Sequence, residues 1–194
     1  MLLNYLMTHG WVAVAVWAVL YCLDYLFTLK AARMYEADVK KHFSSSGGYE
    51  LNSYFKEDIA QLRRFSFRFW LTLVFYSGML LILYGTGIRE LFAFAWGALV
   101  CVQLAVHFRH VRNLTVFYHM KRSDGVSGKI EYEHWLSLRL AVVEDLSFAT
   151  LFLFLYLLWG DFIALGGTFG FLSNAITFWR ESRKSKRAVR GAKS

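Results

Sequence analysis

Five apolar runs punctuate the chain: Trp11–Leu29, Phe67–Tyr84, Leu91–Phe108, Leu140–Trp159 and Phe162–Trp179. Each is long enough to cross a hydrocarbon core of about 30 Å as an α-helix rising about 1.5 Å per residue. The links between them are of two kinds. Gly85-Thr86-Gly87 and Gly160-Asp161 are turns so short that the helices they join must lie antiparallel. The link after the first run is long and has a periodicity of its own. Tyr35, Val39 and Phe43 recur at helical spacing, as do Phe55, Ile59, Leu62 and Phe65, and a Ser/Gly turn separates the two sets. This predicts an amphipathic helical hairpin over 31–66, its second helix capped by Asn52 or Ser53. The whole pattern predicts an all-α, polytopic transmembrane helix bundle of five spans. A single transmembrane domain covers 1–179, hairpin included, and a basic tail covers 180–194.

Composition changes this picture little. Hydrophobic residues make up 57% of the chain and aromatic residues 19%, more than a soluble domain of this size needs. There is no proline, so helix breaks must fall at glycine and at charge. Trp11, Trp70, Trp135, Trp159 and Trp179 sit near the run ends, where an aromatic belt belongs. Cys22 and Cys101 lie within apolar runs and read as small packing residues. The first run has no basic leader and no small-residue cleavage site, so it reads as a span and not as a signal peptide.

Charge adds orientation. Of 22 Lys and Arg, eight lie between Lys30 and Arg68, six between Arg109 and Arg139, and seven from Arg180 onward, while the two short turns hold only Arg89. By the positive-inside rule the rich segments are cytoplasmic, which sets the N-terminus outside and the C-terminus inside, in a plasma (inner) membrane. The net charge of +8 therefore follows the membrane and gives no reason to expect nucleic acid. The expected partners are the bilayer, anionic lipid at a mobile basic tail, and further copies of the chain.

Ionisable groups inside apolar spans are costly and need a partner, a cavity or a task. Asp24 and Thr28 stand one turn apart near the cytoplasmic end of the first run. His107 and His110 share a face with Gln103 on the third, with Asn113 beyond them. Two imidazoles at that spacing suit a shared divalent or transition metal ion when neutral, or a gate when protonated. Glu144 and Asp145 lie well inside the fourth run, where two adjacent carboxylates do not easily both stay charged; Arg139 or a histidine is the expected partner. Depth alone brings Asp24, the histidines and the acids toward one polar cavity, Glu144 deepest, with Asn174 among the polar groups of the fifth run that line it.

Asp24 and Thr28, with Glu50 and Asn52 further on, resemble a D-x-x-x-T … E-x-N-P pattern in a group of short, uncharacterised prokaryotic membrane proteins. Ser53 stands where that pattern has proline, and the match covers under a quarter of the chain. The resemblance implies a polytopic membrane protein and no particular activity. Three readings follow from the residues. The first is an ion channel or transporter governed by Glu144, Asp145 and Asp24. The second is a membrane metalloenzyme with His107, His110, Glu144 and Asp145 as ligands and a lipid or apolar substrate. The third is a non-catalytic assembly subunit. Whether the chain is an enzyme stays open at this point.

Overall fold

The computed structural model describes residues 2–45, 54–122 and 128–191. The short helix α1 (Leu2–Thr8) leads into α2 (Gly10–Met34), which continues as a wider π-turn over Tyr35–Val39. After strand β1 (Phe43–Ser45) come the short α3 (Lys56–Ala60), α4 (Phe67–Gly85) and α5 (Arg89–Arg122). Strand β2 (Ile130–Tyr132), α6 (His134–Trp159) and α7 (Phe162–Gly191) complete the described chain. Five helices are long and apolar enough to cross a membrane: α2 with its π-turn, α4, α5, α6 and α7. Their outward faces are apolar, with Val74, Phe75 and Ile82 on α4 and Phe154, Leu157 and Leu158 on α6 all exposed. Such faces belong in lipid, where the helical backbone satisfies its own polar groups.

The two short turns form as expected. Gly160 ends α6 in the left-handed region at φ 66°, and Gly87 takes φ 73° between α4 and α5. Thr86 closes the latter turn by donating to the Leu83 carbonyl and accepting from Ile88 N. At this turn end α1 is tied down by Tyr84, whose hydroxyl donates to the Thr8 carbonyl, and by Arg89, which donates to Asn4.

α5 is the axis of the bundle. α2 and α4 lie on one side of it, and α7, backed by α6, on the other. The α5–α7 seam is built on small residues. A β-carbon at Gly166 would overlap the Phe94 carbonyl, one at Gly170 the Ala98 carbonyl, and one at Gly97 the backbone of Ile163. These small residues serve packing within the chain, where they let two backbones touch. α2 joins α5 by a different device: the Trp96 indole N–H donates to the Ala13 carbonyl at 2.7 Å.

The basic end departs from expectation. Tyr35 and Val39 are buried, but against Phe117 of α5, so this stretch prolongs α2, and among the described residues it does not pack on the second amphipathic set. That second set ends early. α3 stops at Ala60, Leu62 adopts a left-handed φ of 50°, and Phe55, Ile59 and Leu62 fold back onto the core while Phe65 stays exposed. Asp58 fixes the fold-back, accepting from Ser66 Oγ at 2.6 Å and from Arg63 at 3.1 Å, and Ser66 in turn caps α4 at Phe69 N. Asn52, Ser53 and Glu50 lie outside the described residues. β1 and β2 pair in parallel, linking the two long connections of this end. The tail expected to be mobile continues α7 as helix to Gly191, held to α6 where Ser182 donates to the Trp135 carbonyl and Lys186 lies over the Trp135 ring.

Candidate functional site

A cleft of about 940 Å³ runs along α5 between the α2–α4 pair and α7. Its stripe on α2 is Trp17, Tyr21, Asp24, Tyr25 and Thr28, a helical spacing that was readable in the sequence. α4 adds Phe69, Thr72 and Tyr76; α5 adds Phe94, Gln103, Arg109, His110 and Asn113; α7 adds Phe169, Ser173, Asn174 and Phe178. Tyr54, Phe55 and Ile59 of the fold-back close in at the basic end. Toward the turn end the lining stops at Trp17, Phe94 and Phe169. Beyond it Ala13, Leu80 and Phe92 are fully packed beneath α1. The cleft is blind on that side.

Aromatic rings make up a large share of the wall. Tyr21 stacks on Phe69 with centroids 5.0 Å apart and planes 4° off parallel, Trp17 stacks on Tyr21, and Tyr25 leans on Phe69. Tyr25 is anchored by its hydroxyl, which donates to the Arg63 carbonyl at 2.8 Å.

The polar head of the cleft joins α2 to α5. The carboxylate of Asp24 can only accept, so His110 Nε2–H donates to it, at 2.7 Å, and Thr28 Oγ1 stands 3.2 Å from the same nitrogen. The two residues of the D-x-x-x-T pattern thus converge on one imidazole. His110 Nδ1 is buried with no hydrogen-bond partner among the described residues. The pair lies about 21 Å along α2 from Gly10, in the part of the bundle nearer the basic end.

A second cluster occupies the opposite flank of α5, facing α6. Arg109 Nη2 donates to Asp145 Oδ1 at 3.2 Å, and Arg109 Nε lies 3.2 Å from Glu144 Oε2. Arg112 approaches Glu144 at 3.9 Å. The Asp145 carboxylate is 2% exposed, that of Glu144 30%. Asp145 Oδ2 has no hydrogen-bond partner among the described residues.

No protein-family model, curated protein or solved structure matches this chain.

Several expectations are therefore redrawn by the geometry. The partner of the acid pair is Arg109, not Arg139; Arg139 sits on the acids' own helix and lies over the Trp179 ring, 4.4 Å from its centroid. His107, His110, Glu144 and Asp145 do not gather as a ligand set. His110 turns to Asp24, His107 Nδ1 lies 2.7 Å from its own helix's Gln103 carbonyl, and the carboxylates turn to a guanidinium. Phe27 packs against both imidazoles. Among the described residues no group of three or more His, Cys, Asp or Glu could hold a metal. The single cavity expected from depth splits in two: Asp24, Thr28, Gln103, His110, Asn113 and Asn174 line the cleft, whereas Glu144, Asp145 and His107 do not. Sequence reasoning counted Arg109 only toward the cytoplasmic positive charge and did not single out Tyr21, Tyr25 or Tyr76 at all.

Proposed function

We propose that this chain is a small membrane transporter whose substrate enters the cleft from the basic side and is bound at Asp24, Thr28 and His110. The observation that carries this reading is the cleft itself. Its volume of about 940 Å³ suits a small molecule, it ends blind toward the short turns, and its polar head stands at the end ringed by Lys and Arg. A blind cleft fits a carrier that exposes its site to one side at a time better than it fits a continuous pore. The acid pair takes a supporting part. With Arg109 already against both carboxylates, Glu144 and Asp145 hold α6 to α5 and leave Asp24 as the acid that meets the substrate. On the same reading the basic end is cytoplasmic, the N-terminus is outside, and the basic face of α7 rests on anionic lipid. α4 is the helix least covered by its own chain, and it is the surface a second copy would take.

Two measurements test this. Single cysteines at Asn4 and Gly87 should label from outside the cell, and at Lys41 and Lys184 only after the membrane is opened. In proteoliposomes the wild type should move a small solute down an imposed gradient, and Asp24→Asn should stop it while Glu144→Gln does not. A protein that folds, keeps its cleft and moves no member of a broad panel of cationic, anionic and neutral solutes refutes the transporter reading in favour of an assembly subunit.

A further inference from the structure

We infer that the cleft accepts a monovalent organic cation with an apolar or aromatic body, bound with its charge against Asp24 and its body against the aromatic wall. This deepens the transporter reading and rests on its assignment of the cleft as the substrate site. Charge comes first. Among the described residues, the carboxylates of Glu144 and Asp145 face Arg109, and Arg112 approaches Glu144, so those four charges balance. Among the described residues Asp24 has no Lys or Arg within ion-pair distance, and its ion-pair contact is the imidazole of His110. No fixed cation therefore offsets Asp24 at the head of the cleft, and a cationic ligand is what would supply one.

The wall settles the kind of cation. Trp17, Tyr21, Tyr25 and Phe69 form a stacked aromatic surface beside Asp24, with Tyr76 edge-on to Trp17. Ring faces attract a soft, weakly hydrated positive charge and also pack an apolar body. They offer nothing to a divalent metal, which needs several oxygen ligands where this head supplies one carboxylate and one hydroxyl. An anion is disfavoured as well, because the guanidinium of the cleft, Arg109, is already met by two carboxylates.

The test uses two ions of the same shape and opposite charge, tetraphenylphosphonium and tetraphenylborate, with the full chain in nanodiscs. Tetraphenylphosphonium should bind saturably, one per cleft, by calorimetry and by quenching of tryptophan fluorescence; tetraphenylborate should not. Asp24→Asn should weaken the cation by about tenfold or more, Asp24→Glu should largely restore it, and Glu144→Gln should change it less than about twofold. Tyr76→Leu, which keeps the carboxylate, should weaken it by about threefold, and it decides the matter if Asp24→Asn does not fold. Equal binding of the two ions, or cation binding indifferent to both Asp24 and Tyr76, overturns the inference. Binding in nanodiscs is independent of movement. Cation binding without uptake in liposomes sinks the transporter reading and leaves the site standing; uptake of some other solute without cation binding does the reverse.

Discussion

Two polar clusters flank α5 at neighbouring positions, and they are built to opposite ends. On one flank Arg109, with Arg112 nearby, meets two carboxylates of α6 that lie outside the cleft lining, and the four charges balance. On the other flank His110 meets one carboxylate of α2, and the pair opens into the cleft. Successive residues on a helix point about 100° apart, so one turn of α5 serves both. A cluster that is complete within the protein acts as structure. One that is left short of a charge and in reach of a cavity is free to act on something else. The contrast is one of stoichiometry and access, not of residue type, because each flank holds acids opposite a base.

The sharpest way to break the comparison is Arg109→Ala. It strands two carboxylates, one of them fully buried, and should cost about 3–5 kcal/mol, seen as a large fall in the detergent melting temperature. If the melting temperature holds, the α5–α6 cluster is not structural. Asp145→Asn comes next. It removes one charge-assisted hydrogen bond but leaves Glu144 on Arg109, so a loss of about 1.5–3 kcal/mol is expected. Glu144→Gln, at the more exposed carboxylate, should cost under about 1 kcal/mol by the same melting assay. Asp24→Asn should fall within about 1 kcal/mol as well, since an asparagine can still accept from His110, yet it should abolish uptake. A large loss of stability in Asp24→Asn with uptake intact would reverse the roles assigned to the two flanks.

How much of this was legible in the sequence differs by scale. The spans were, because apolar length is a local property: the run Phe67–Tyr84 and helix α4, Phe67–Gly85, differ by one residue. The turns at Gly87 and Gly160 were, because positive φ selects glycine. The partner of Asp145 was not. Arg139 is nearer in sequence, but it lies six positions away on the same helix and turns to Trp179, while Arg109 arrives from a helix whose placement depends on the glycine seam with α7. The pairing of Asp24 with His110 likewise needed the register of α2 against α5, which Trp96 and Ala13 help fix and no periodicity reveals. The hairpin over 31–66 is not shown, and for its first arm there is a physical reason. Tyr35 and Val39 do mark a buried face, but periodicity states that a face is buried and not against what, and α5 extends far enough to cover it with Phe117.

The glycine seam also sets how the molecule can change shape. Where a carbonyl of α5 lies against the α-carbon of a glycine on α7, sliding by even part of a turn brings a side chain into backbone. α7 is packed as extensively against α6, so α5, α6 and α7 are the most closely packed part of the bundle. α2 meets α5 through side chains and one indole hydrogen bond, and α4 touches its neighbours more lightly still. On the transporter reading, the least hindered movement about the cleft is a rocking of the α2–α4 pair, which carries Asp24, against the three closely packed helices, which include His110.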